Sequence, residues 1–375
     1  MDNISAVILT FTALNKTDET SKLIIFAFTL PSFFLTVFLN SMLILIIVVE
    51  KTLHEPMYIF LGNLCINDLC GTAGFYPKLL SDLIMQTTSV SLQACIVQSY
   101  VIFMYGIGEF TNLSVMALDR YLAICRPLYY HSLMCRATVL KLLTFIWMFP
   151  CCAVLVIILM TVRNPICEQH IDKLCCGSFF LERLACPAHI SEVIIKWIFF
   201  CILVMIVAFV FFSYIKLIIA CKQSKVNQNK FMSTCLPHLM AFSNFMALSL
   251  LDASHTQFNI DLPQTLQHFN SALILVIPPF VNPIIYGIKL SPIRTHSLYF
   301  LSFYAHEREC DLWQPPQYGY HDTMLALYRS SKQKERGRKA LTAKQACNKT
   351  IEPWETKESP MSIPRYTKAA QNQGP

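Results

Sequence analysis

The chain has 375 residues, 54% of them hydrophobic and only 14% charged, against about 25% charged residues in soluble domains. So little charge cannot cover a water-exposed surface, which excludes an aqueous enzyme, a coiled coil and a disordered chain for most of the length. The net charge of +7 sits on cations that flank apolar runs, and this fits orientation in a bilayer better than binding to nucleic acid.

Residues 1–22 lack a basic n-region and a small-residue cleavage site, so they read as an extracellular segment rather than a cleaved signal peptide. They carry two glycosylation sequons, at Asn3 and Asn15. A bilayer core of ~30 Å needs about 20 mostly apolar residues per helix. Seven segments follow that meet this: Leu23–Val49, Pro56–Ile84, Leu92–Cys125, Val139–Val162, Val193–Cys221, Phe231–Ser254 and Thr265–Lys289. The second carries Asn63, Asn67, Asp68 and Lys78, and the third carries Glu109, Asn112 and Asp119. A helix with a polar stripe can span if the stripe faces a bundle interior. The expected fold is an all-α membrane protein, a seven-transmembrane-helix bundle over residues 23–290.

Short loops set its orientation. Lys51, Arg126, Arg136, Lys222 and Lys225 lie in alternate loops, and the opposite loops at 85–94 and 255–264 hold no Lys or Arg. The positive side is cytoplasmic, so the N-terminus is outside and the C-terminus inside. A short juxtamembrane amphipathic helix is expected at 291–303. Beyond it, residues 304–375 turn polar, with the run Lys332-Gln-Lys334-Glu-Arg336, and read as a flexible cytoplasmic tail.

Sixteen cysteines are too scattered for a zinc site. Five of them, Cys95, Cys167, Cys175, Cys176 and Cys186, fall on the oxidising outer side. One must be left over, and spacing alone does not decide which. No nucleophile–base–acid set and no phosphate loop is present, so no catalytic residues are expected. Asp68 and Glu109 are mid-membrane acids. Two carboxylates close together in a low dielectric need a cation or a shared proton. A Na⁺ ion with Asn40 and Asn282 as neighbours is one reading, and a neutral hydrogen-bonded polar core is the other. No other cofactor is implied. At the end of segment seven, Pro283 removes a backbone hydrogen bond, and Asn282 is the local candidate to satisfy the carbonyl it frees.

Four strings are more specific. They are Pro56-Met-Tyr-Ile-Phe-Leu61, Met116-Ala-Leu-Asp119-Arg120-Tyr121-Leu-Ala-Ile-Cys125, Ser233-Thr-Cys235-Leu-Pro237-His238 and Pro278-Pro279-Phe-Val-Asn282-Pro283-Ile-Ile-Tyr286-Gly287. In this order and on these segments they resemble the odorant (olfactory) receptor branch of the rhodopsin-like G-protein-coupled receptors, over about residues 23–295. Three departures stand out. Leu39 precedes Asn40 where the family usually has Gly, Leu118 replaces a Tyr, and Pro237 stands where Ser or Ala is usual. A proline in the first turn of a helix is tolerated, but deeper in it costs ~3 kcal/mol.

The resemblance implies a receptor for a small-molecule odorant, coupled to a stimulatory G protein that raises cyclic AMP, in the plasma membrane of olfactory sensory neuron cilia. It implies that Asp119 and Arg120 hold the resting state, with Tyr121, Tyr214, Asn282, Pro283 and Tyr286 as partners in activation. It also pairs Cys95 with Cys176 and leaves Cys167 for Cys186. The odorant would bind between segments three, five, six and seven. Helical spacing there selects Phe103, Gly106 and Ile107, then Ile198 and Ile202, then Met246, Ser249, Ala253 and Gln257. Two other readings fit less well. A transporter or channel conducting past Asp68 and Glu109 lacks a repeat and a continuous polar lining. Among non-olfactory receptors of the same class, one for an amine would want an acid where this chain has Ile102 and Phe103.

Overall fold

The computed structural model describes residues 8–11, 18–85, 89–164, 170–171, 174–177, 190–222, 235–258 and 264–289. Seven long helices run through them: α1 (Glu19–Val49), α2 (Pro56–Met85), α3 (Leu92–Cys125), α4 (Arg136–Val162), α5 (Ile190–Lys222), α6 (Leu236–Phe258) and α7 (Gln264–Lys289). The expected ends of α2 and α3 are met to within a residue, and α5 begins three residues earlier than its apolar run. Asn3, Asn15, Cys167, Cys186, the amphipathic helix expected at 291–303 and the tail from 304 lie outside the described residues.

Among the described residues, α1, α3, α4 and much of α5 are long and apolar enough to cross a membrane by themselves. Helices α2, α6 and α7 fall short of that measure among the described residues, and buried polar groups such as Asn67 and Asp68 of α2 and Asn282 of α7 face the bundle interior. Two starts have a capping side chain. Asp18 caps α1, accepting from the Ser21 amide at 3.1 Å and from its hydroxyl at 2.7 Å. Those bonds hold the Asp18 carboxyl below its ordinary value. Ser91 caps α3 through the Ala94 amide at 3.3 Å. Pro237 is the second residue of α6 as described.

Burial is inverted relative to a soluble protein. Phe28, Phe34 and Phe38 of α1 and Trp197, Phe200, Phe211 and Phe212 of α5 are exposed, where lipid would meet them. Asn40, Asn67, Asp68, Glu109, Asn112, Asp119 and Asn282 are each no more than 2% exposed. Apolar side chains gain nothing by avoiding lipid, whereas polar ones must find partners inside. Helix α3 is the central rod, packed against α2, α4 and α5, while α7 packs against α6, α2 and α1.

The inner polar groups tie helices together. Trp147 of α4 donates to Asn63 of α2 at 2.8 Å, and Asn63 donates to Asn112 of α3 at 2.7 Å. The carbonyl freed by Pro283 is that of Pro279, and its donor is not the one expected from the sequence. Asn40 of α1, not Asn282, satisfies it, with Nδ2 at 2.8 Å from the Pro279 oxygen and 3.0 Å from that of Thr36. Asn282 is engaged elsewhere, and a donor 239 residues away along the chain had no local trace.

A small sheet that the sequence reading did not anticipate lies beside the first turns of α3. Strand β1 (Ile8–Phe11) pairs antiparallel with β2 (Ser89–Ser91), with Leu9 opposite Val90, and parallel with β3 (His170–Ile171). Leu9 and Phe11 point to one face, as period two requires. They are fully buried with Val90, Leu92, Cys95 and Cys176. Lys78 of α2 reaches this layer. It pairs with Asp82, donates to the Ser89 carbonyl at 3.2 Å and lies 5.6 Å over the Phe11 ring.

Candidate functional site

At the inner end of α3, Arg120 donates from Nε to Asp119 Oδ2 at 2.8 Å and again from Nη2. The second Asp119 oxygen accepts from the Tyr130 hydroxyl at 2.7 Å. Tyr130 opens a single helical turn, Tyr130–Leu133, that follows a tight turn at Pro127–Tyr129. Burial, reinforced by the Asp119 carboxylate, pushes its phenol well above its ordinary value, so it stays a donor. Asp119 is fully buried and Arg120 is 7% exposed. A charge this enclosed needs its partners, because removing one strands the other. Tyr130 was not selected from the sequence. Two adjacent loop tyrosines gave no hint which one turns inward.

Above this pair His238 of α6 bonds the Leu113 carbonyl through Nε2 at 2.9 Å. A carbonyl only accepts, so Nε2 carries the proton. Tyr214 of α5 stacks on the His238 ring, with centroids 5.5 Å apart. The hydroxyls of Tyr214 and Tyr286 are buried and have no hydrogen-bond partner among the described residues. Arg120 is occupied by Asp119 and bonds neither. Tyr121 is half-buried, next in sequence to the pair.

Mid-bundle, Asn282 of α7 holds both acids at once. Its Nδ2 lies 3.2 Å from Asp68 Oδ2 and 2.9 Å from Glu109 Oε1. Asn67 donates to the other Glu109 oxygen at 3.0 Å. The α2–α3 approach is close enough that a Cβ at Gly108 would overlap the Asn67 amide. Asp68 Oδ1 and Asn282 Oδ1 are buried with no donor among the described residues. Asp68, Glu109 and Asn282 are brought together as expected, while Asn40 makes its bonds to Thr36 and Pro279 instead.

In the outer half, Phe103, Gly106, Ile107, Ile202, Met246 and Ser249 are half-buried, and Ile198 is 53% exposed. A Cβ built at Gly106 would meet nothing within 4 Å, so there is open space against α3 at that level. Ser249 donates to its own helix, at 2.8 Å from the Phe245 carbonyl, which leaves its oxygen as an acceptor only. Ala253 and Gln257 lie on α6, and their side chains are outside the described residues. At the outer end of α3, Cys95 is disulfide-bonded to Cys176. Both backbone groups of Cys176 are held as well: its amide donates to Gln98 at 3.1 Å, and its carbonyl accepts from Ser99 at 3.0 Å.

Seven helices around a buried Asp–Arg pair, an inner acid cluster and a disulfide that secures the outer end of α3 define a rhodopsin-like receptor. The crystal structure of squid rhodopsin superposes with a TM-score of 0.62 at 14% identity, covering 76% of this chain and 82% of that one. A profile of the olfactory receptor family matches residues 30–302. Human olfactory receptor 2K2 is 30% identical over 73% of this chain and 87% of its own length. Mouse olfactory receptor 4B13 is 30% identical over 75% and 92%, and rat olfactory receptor 1 is 31% identical over 72% and 87%. The chain belongs to the olfactory receptor family of G-protein-coupled receptors. It is a multi-pass plasma-membrane receptor and not an enzyme, and its partners are a small-molecule ligand and a heterotrimeric G protein.

Proposed function

We propose that this receptor senses an odorant between α3, α5, α6 and α7 and signals through a stimulatory G protein that raises cyclic AMP, in the cilia of olfactory sensory neurons. The observation that carries the mechanism is Arg120, a cation 7% exposed, held at the cytoplasmic end of α3 by a carboxylate that Tyr130 also holds. This is the resting arrangement. An agonist favours a second arrangement in which the inner ends of α5 and α6 move and Arg120 leaves Asp119 for the G protein. Tyr214 and Tyr286, whose buried hydroxyls have no hydrogen-bond partner among the described residues, would receive it. The open space at Gly106, next to Ile107 and one turn from Phe103 on α3, supports an apolar ligand pocket that Met246 of α6 would help to line. Ser249 is its acceptor, and Ile202, Ala253 and Gln257 continue the stripe. With Ile198 this exposed, it marks the pocket's lipid-side margin. A panel of odorants applied to transfected cells, with cyclic AMP as the readout, tests this reading.

The acid cluster would tune the equilibrium. Asp68 and Asn282 each leave one buried oxygen without a donor among the described residues, and these oxygens, together with Glu109, would be the ligands offered to a Na⁺ ion. Such an ion would favour the resting arrangement. Raising Na⁺ at constant ionic strength should lower basal signalling. The change should reach about fivefold or more, since allosteric couplings typically span ~1–3 kcal/mol. Glu109→Gln, which keeps the shape and loses one charge, should erase the dependence. A response to pH with none to Na⁺ would mean that the two acids share a proton instead.

A further inference from the structure

Helix α7 carries adjacent prolines at 278 and 279. Pro278 has no N–H, so the carbonyl four residues earlier, Ile274, has no donor within its own helix. The Tyr105 hydroxyl of α3 fills that gap, donating to the Ile274 oxygen at 3.2 Å. Tyr105 is 1% exposed, its ring is held from two sides, and its backbone is tied as well. Gly71 of α2 lies against its face, where a Cβ would come within 2.6 Å of ring carbons. Phe245 of α6 meets it edge-on, with centroids 6.3 Å apart at 86°. Its backbone carbonyl accepts from Asn67 at 3.1 Å, and the same Asn67 amide donates to Glu109 one turn below. Tyr105 is also adjacent to Gly106, where space opens on α3.

We propose that Tyr105 is a positioning residue for activation, a strut from α3 to α7 that supplies the hydrogen bond Pro278 cannot make. The inference rests on reading the Asp119–Arg120 pair as the resting lock. That lock is closed here, so the Tyr105 bond belongs to the resting arrangement. A ligand pressing on α3 at Gly106 moves the neighbouring phenol and releases α7 at Pro278. That proline lies one turn above Asn282, which holds Asp68 and Glu109. A hydroxyl that merely filled a buried site would not need the proline opposite it. The strut does.

That difference gives the test, read as ligand-free signalling at equal surface expression. Tyr105→Phe keeps the ring and removes the hydroxyl, and should raise basal signalling about fivefold, the size of one neutral hydrogen bond. Pro278→Ala restores a backbone donor for Ile274, and in that background Tyr105→Phe should change signalling by less than about twofold. Gly71→Ala, which displaces the ring while keeping the hydroxyl, should behave as Tyr105→Phe does in both backgrounds. An equal rise with and without Pro278, or no rise in either, would overturn the proposal. Arg120→Ala separates this from the underlying reading. If it leaves basal signalling intact, the inner lock is wrongly assigned, and the Tyr105 comparison is still read in the signal that remains.

Discussion

Arg120→Ala should reduce both basal and odorant-evoked signalling to the background of untransfected cells, while the receptor is still detected at the surface. The expectation follows from the enclosure of the pair. Arg120 has two bonds to Asp119, and Asp119 has a further bond from Tyr130. Losing the cation strands a fully buried carboxylate, which costs ~3–5 kcal/mol in comparable sites, so surface delivery should fall as well. Asp119→Asn separates coupling from folding. It weakens the lock but keeps Arg120 available to the G protein, so basal signalling should rise, by about tenfold for the loss of a charged hydrogen bond. Opposite signs from the two halves of one contact mark a switch. If both variants merely lost signal in proportion to surface level, the pair would be structural.

The second large effect concerns the outer disulfide. Cys95→Ser or Cys176→Ser should each cut surface delivery to a small fraction of the parent, with the double variant no worse than either. A native disulfide typically contributes ~2–5 kcal/mol, out of a total stability of only ~5–15 kcal/mol. This one closes 81 residues, toward the upper end of that range in the loop-entropy view. Its loss also loosens the buried layer of Leu9, Phe11, Val90 and Leu92. Cys175 is 3% exposed, and Cys175→Ser is nearly isosteric, so its effect should be mild. Surface labelling of intact cells measures all four variants. An essential Cys175 with a dispensable Cys176 would reverse the pairing.

What the sequence made legible follows from the length scale of each signal. A bilayer demands runs of about 20 apolar residues, and such runs survive individual exceptions. Pro56 and Leu92 therefore opened α2 and α3 where expected. Residues joined by a local motif were also found: Asp119 beside Arg120, and Asn282 beside Pro283. The pairing of Cys95 with Cys176 came from resemblance, since five cysteines alone left it open. What stayed hidden was set by partners far along the chain. Asn282 was expected both beside the acids and on the carbonyl that Pro283 frees; it keeps the first place, and Asn40, far along the chain, takes the second. Tyr105 and Tyr130 look like any other tyrosines until the chain folds. Strand β1 rests on two alternating residues, Leu9 and Phe11, too few for periodicity to register.

The most direct test of the receptor account uses the purified full chain in a lipid bilayer with a stimulatory G-protein heterotrimer. Nucleotide exchange is followed as an odorant panel is added, with ion flux recorded on the same preparation. At least one odorant should accelerate exchange, Arg120→Ala should abolish the acceleration, and no flux should depend on Asp68 or Glu109. Exchange indifferent to every odorant, together with a Na⁺ flux lost in Glu109→Gln, would contradict the receptor account.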